Sequence, residues 1–203
     1  MVGIIDNDKL NEQQMIFRNE IGKHHWDLFV TLNFHRHYSI EEGHKLIRDW
    51  DSRVSRKLNG RRYTKPQNQW KRMKFIGCLS YGEGRRKSTR LDTVKTTPYL
   101  TSNRLEEQRP LHSHLLVDRP HRVEIDLFQE VCEESLGRVL NKSSFEVYRD
   151  GMCHIELNDK GYFDLQDVFQ ITDYIFQPRH IEVDDTGMFD TSNIVISSNY
   201  SLK

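Results

Sequence analysis

The chain has no apolar run approaching the ~20 residues of a membrane span, so no membrane partner is expected. It has only three cysteines, Cys78, Cys132 and Cys153, with no CxxC pair and no even framework. That argues against disulfides and against a thiolate zinc site, and fits a reducing cytoplasm. Residues 1–19 lack the apolar core of a signal segment and read as a polar helix. Net charge is missing too, with 30 Lys and Arg against 30 Asp and Glu. Apolar residues make up 36% of the 203, so some sequence must lie outside the core, in loops or flexible segments. Ten Phe, eight Tyr and three Trp are nonetheless enough to anchor one large domain, with or without appendages.

The charges cancel in number but not in place. Between Arg53 and Lys95 stand fourteen Lys and Arg against two acids, Glu83 and Asp92. From Gly151 to Lys203 the ratio reverses to three against nine. A basic centre beside an acidic tail suggests a footprint for a polyanion, unless the two neutralise each other in space.

Apolar spacing marks the elements. Residues 6–24 carry Leu10, Met15, Ile16 and Ile21 at weak helical spacing. Trp26 to Phe34 is rich in aromatic and β-branched residues and reads as a strand. Ser39 and Glu42 form a capping box for a helix over about 39–58, ended by Asn59-Gly60. Phe75–Tyr81 and Leu111–Val117 read as strands, and Val123 to Leu140 as a long helix. Phe145–Tyr148 and Met152–Leu157 read as strands around Asp150-Gly151, and 165–176 as a helix broken before Pro178. Residues 85–109 lack periodicity and read as a flexible insertion. This order, β-α-β-β-α-β-α with hairpin-like neighbours, predicts an α+β domain, a central antiparallel sheet with helices packed on one face.

The chemistry centres on Arg109-Pro110-Leu111-His112-Ser113-His114-Leu115-Leu116-Val117. A strand has a side-chain period of two, so His112 and His114 share one face. On a solvated face they would be two polar residues. In a strand this apolar they need partners, and a metal is one. Glu83, between Gly82 and Gly84, is either a turn acid or a third ligand. Two imidazoles and a carboxylate suit Mg²⁺ or Mn²⁺, and also Zn²⁺ or Ni²⁺. Tyr174, on the helix over 165–176, is either a core side chain or a nucleophile able to attack a phosphodiester.

Taken together, Phe29-Val30-Thr31-Leu32-Asn33-Phe34, Tyr81-Gly82-Glu83-Gly84, the His112-Ser113-His114 strand and Asp173-Tyr174-Ile175 resemble the HUH endonucleases. They look most like the rolling-circle replication initiators of small phages and plasmids. The resemblance implies a ferredoxin/RRM-like HUH domain over 26–180, preceded by a helical extension (1–25) and followed by a tail (181–203). It implies His112, His114 and Glu83 as ligands of Mg²⁺ or Mn²⁺ and Tyr174 as the nucleophile. It implies single-stranded or hairpin DNA as substrate, and a host helicase and DNA polymerase as partners. Arg61, Arg62, Lys65, Lys71, Arg72, Lys74, Arg85, Arg86 and Lys87 would hold the DNA backbone, with Tyr63, Trp70 and Tyr81 able to stack on bases. Ser113 replaces a hydrophobic residue at a position facing away from the metal, Asn33 replaces a common threonine, and Gln177 stands where the family usually has lysine. A transposase or relaxase would use the same site, and a DNA-binding regulator would keep it in degenerate form.

Overall fold

The computed structural model describes residues 15–16, 18–36, 38–61, 65, 72–81, 110–120, 123–157, 162–175 and 193–198. In chain order these form β1 (Leu28–Asn33), α1 (Ile40–Asn59), β2 (Lys74–Tyr81), β3 (Leu111–Asp118), α2 (Ile125–Leu140), α3 (Ser144–Arg149), β4 (Cys153–Leu157), α4 (Leu165–Ile175) and β5 (Ile194–Ile196). Residues 18–22 add a helical segment before β1. The fold is α+β, with an antiparallel sheet in the order β4-β1-β3-β2-β5.

The strand carrying the histidines is the middle one. β3 pairs with β1 on one side (Thr31 opposite His114, Asn33 opposite His112) and with β2 on the other (Cys78 opposite His114, Ser80 opposite His112). Alternation divides every strand between two faces. One face carries Leu28, Val30, Leu32, Phe75, Leu79, Leu111, Leu115 and Val117 and packs against α1, α2 and α3 through Ile47, Trp50, Val54, Phe128, Leu136 and Val147. The other carries Ile76, Cys78 and Leu116, covered by Ile21, Trp26, Val168 and Ile175. Helices therefore lie on both faces, not one as the sequence suggested. The apolar stripe of α4 and the residues just before β1 need burial of their own, and the second face offers it.

Local signals explain most boundaries. Ser39 caps α1: its hydroxyl accepts from the Glu42 amide at 3.2 Å, and its own amide donates to the Glu42 carboxylate at 2.8 Å. Two glycines permit close approach. A methyl group on Gly77 would collide with the His114 carbonyl oxygen, and one on Gly43 with the Leu111 side chain. The first lets β2 and β3 pair tightly beside His114, and the second lets α1 settle onto the sheet.

Two expectations are corrected. Phe145–Tyr148 belongs to a short helix, α3, rather than a strand. Ser143 and Glu146 form a second capping box there, and Val147 is the residue turned inward. The tail contributes a strand: β5 pairs with β2, placing Ile196 opposite Ile76 and Ile194 opposite Cys78. The proposed insertion 85–109 lies outside the described residues.

Candidate active site

Beyond the Lys74–Asp118 pair at its far end, the second face of the sheet runs from apolar to polar. Along β3 it runs from Leu116 to His114 to His112, and the flanking strands follow suit, from Phe29 to Thr31 to Asn33 and from Ile76 to Cys78 to Ser80. The polar end thus brings two histidines and small hydroxyl residues onto one rigid surface.

The imidazoles are close and well held. Their ring centroids lie 4.7 Å apart at 79°. His114 is buried and His112 half-buried. Nε2 of His112 is 2.9 Å from the Ser80 hydroxyl, and Nδ1 of His114 is 3.1 Å from the Thr31 hydroxyl. Desolvation pushes the His112 pKa below the usual imidazole value, and a hydrogen bond to Pro110 opposes it. Pro110 has no N–H, so that bond runs from the ring to its carbonyl. In the tautomer with the proton on Nδ1, Nε2 of His112 accepts from the Ser80 hydroxyl; in the other it donates to it. On His114 the Thr31 hydroxyl can accept from Nδ1–H in the same way, which again leaves the lone pair on Nε2. A hydrogen bond from the ring nitrogen opposite the ligating one is what orients metal-binding histidines.

Tyr174 meets this pair from α4. Its ring centroid lies 5.2 Å from His114, edge to face, and 6.3 Å from Phe29. Phe29 in turn stacks on His114 at 5.7 Å and 10°. Tyr174 is 36% exposed, so the tyrosine lies at the rim of the site rather than in the core. The helix beneath it is fastened by Val168, Thr172 and Ile175, all buried. Arg18 adds an outer tie, 3.6 Å from the Asp173 carboxylate, with its guanidinium 4.3 Å over the Phe169 ring.

His112, His114 and Tyr174, picked from sequence, are therefore brought together. Two neutral imidazoles with ring centroids 4.7 Å apart are the donor type that divalent transition ions take. Among the described residues no third His, Cys, Asp or Glu joins them. Glu83 and Gln177 lie outside the described residues, as do Arg62, Lys71, Arg85, Arg86 and Lys87 of the expected DNA contacts, and Tyr63 and Trp70.

The described cations are more scattered than expected. Arg72 is turned inward, 2.9 Å from the buried Asp51, so its charge is neutralised within the fold instead of facing DNA. Lys74 lies beside Asp118 at 3.6 Å, six residues and about 20 Å along β2 from Ser80. Arg61 and Lys65 are exposed beyond the end of α1. Tyr81 donates its hydroxyl hydrogen bond to the Tyr38 carbonyl and packs against the main core, which leaves it poorly placed to stack on a base. A cleft of about 470 Å³, lined by Arg138, Asn141, Lys142 and Ser143 among others, opens at the α2–α3 junction, on helices that cover the opposite face.

Sequence reasoning missed Thr31 and Ser80, the hydroxyls against the imidazoles. Small polar residues alternating into apolar strands were the available signal. It also missed His154 on β4, which pairs opposite Thr31 on the same face, is exposed, and lies 3.1 Å from the Glu156 carboxylate.

No family model matches the chain, and neither the curated proteins nor the solved structures contain a match to it.

Proposed function

We propose that the chain is a metal-dependent endonuclease of the HUH type that nicks single-stranded DNA through Tyr174. The observation that supports this most is the meeting of His112, His114 and Tyr174 on one sheet face, with the tyrosine ring 5.2 Å from His114. His112 and His114 would hold Mg²⁺ or Mn²⁺ through Nε2, with Glu83 as the third ligand. An ion bound there supplies positive charge to polarise the scissile phosphate.

The Tyr174 oxygen forms a bond to phosphorus as the P–O3′ bond breaks, and its proton passes to solvent. The 3′ oxygen leaves and takes up a proton, giving a free 3′-OH, and the 5′-phosphate stays on Tyr174. No oxidant or energy-rich co-reactant is needed, because one phosphodiester replaces another. Thr31 and Pro110 orient the imidazoles, and Phe29 braces both His114 and the tyrosine. Ser80 must turn its hydroxyl away from Nε2 of His112 before that lone pair can serve as a ligand. The biological use we propose is initiation of rolling-circle replication in the cytoplasm, where the released 3′-OH primes a host polymerase behind a host helicase.

The test is incubation with Mn²⁺ and a random-sequence pool of single-stranded oligonucleotides, read on a denaturing gel. Wild type should give a covalent protein–DNA band that Tyr174→Phe abolishes. A band that survives Tyr174→Phe removes the tyrosine from its role. No band from wild type, with divalent-ion binding intact, favours a DNA-binding regulator.

A further inference from the structure

We propose that Cys78 is a positioning residue, whose thiol fixes the last turn of α4, and with it Tyr174, relative to His114. This rests on the nicking reading for its functional meaning, though not for its geometry. Cys78 stands on β2 directly opposite His114. Its Sγ–H donates to the Ile175 carbonyl at 3.1 Å. Ile175 follows Tyr174 and is the last residue of α4. Carbonyls in the last turn of a helix have no amide partner within it and take donors from outside, side chains among them. Here the donor comes from the sheet, at the register position of the proposed ligand.

One side chain therefore joins the two halves of the site. Its backbone belongs to the strand paired with His114, and its thiol holds the helix that carries the tyrosine. Other restraints on that helix act differently. The contacts of Tyr174 with His114 and Phe29 are ring packing, which fixes separation better than position along the helix axis. Thr172 bonds back to Val168 of its own helix. The Arg18–Asp173 pair is 3.6 Å long and solvent-exposed on both sides, and such pairs contribute little. Cys78 is fully buried, in the small cluster formed with Ile76, Leu116, Val168 and Ile175. A thiol is a weak donor, but in that setting its direction is set by packing. In-line attack on phosphorus is sensitive to small displacements of the nucleophile.

The experiment compares Cys78→Val, which keeps bulk and removes the donor, with Cys78→Ser, which keeps a donor. The full chain is labelled with 3-fluorotyrosine, and Tyr174→Phe identifies the Tyr174 resonance by ¹⁹F NMR. Cys78→Val should move that resonance while the other tyrosines stay in place, and Cys78→Ser should leave it near wild type. In single-turnover reactions with the oligonucleotide pool and Mn²⁺, Cys78→Val should slow adduct formation about tenfold at saturating DNA. The DNA concentration giving half the maximal rate should not change, and Cys78→Ser should recover most of the rate. Equal effects of the two substitutions, or none from Cys78→Val, would overturn the proposal. If Cys78→Val does not fold, the smaller Cys78→Ala carries the same comparison. If wild type forms no adduct, the nicking reading falls and the ¹⁹F spectrum alone decides whether Cys78 positions Tyr174.

Discussion

The two faces of the sheet are built from the same strands and put to different uses. Among the described residues, the face under α1, α2 and α3 contributes to a cluster of twenty-two buried apolar residues, against seven on the other side. The first face holds the fold together. The second is closed by α4 and the segment before β1 at one end, and carries His112, His114, Thr31, Asn33 and Ser80 at the other. β3 shows the division within eight residues: Leu111, Leu115 and Val117 enter the large core, while His112 and His114 point the opposite way. A strand buried on its first face can hold polar groups on its second with little freedom to move, which is what a site needs from its scaffold.

Substitutions on each face should separate stability from chemistry, and the largest stability effect belongs to the core face. Trp50 is fully buried and donates to the Cys132 carbonyl at 3.2 Å. Trp50→Ala should cost about 3–5 kcal/mol by urea denaturation, through cavity formation and a lost partner. Divalent-ion binding by whatever remains folded should be unchanged.

Gly77→Ala should break both faces at once. The added methyl would meet the His114 carbonyl, so β2 and β3 must separate at the proposed ligand. A loss of about 3 kcal/mol is expected. Divalent-ion affinity, by isothermal titration of the folded protein, should fall with it. Unchanged affinity would mean that the histidine pair tolerates a shift in its own strand.

Ser113 sharpens the comparison in the other direction. It is wholly buried on the core face, and its hydroxyl has no hydrogen-bond partner among the described residues. Ser113→Ala should stabilise the protein by about 1 kcal/mol, since an unpaired buried hydroxyl is removed with little loss of volume. A destabilised variant would show that the hydroxyl is satisfied in solution.

The smallest stability effect is expected where the chemical effect is greatest. Tyr174 is at the rim, so Tyr174→Phe should change stability by no more than about 0.5 kcal/mol while removing the covalent adduct. The cysteines give a check that needs no variant. All three are buried, and burial pushes the Cys78 thiol up to about 12. They should resist maleimide in the native protein and react once urea unfolds it.

What was legible in the sequence was local. The parity of the histidines, the Ser39–Glu42 box and the stripe of α4 each lie within one element, so spacing alone revealed them. Phe145–Tyr148 reads as a strand because apolar and polar residues alternate over too few positions to separate strand from helix, and the Ser143–Glu146 capping box is what decides for the helix. β5 has three residues, and its partner β2 is more than a hundred positions away. Thr31 and Ser80 touch the imidazoles across strand pairings, and Cys78 reaches α4 across the sheet. Their roles depend on register, which spacing along the chain does not encode.

The strand order has a kinetic consequence. β1 must find β3 across about eighty to ninety residues and β4 across more than a hundred, and β2 must find β5 across more than a hundred as well. Each of these pairings closes a long loop before it returns any contact energy. Local partners such as α2 and α3 can meet early, but the polar surface between β1, β3 and β2 cannot form piecemeal. Folding should therefore be slow for a chain of this size, in the range of about milliseconds to seconds, and the site should appear in one late step with the sheet.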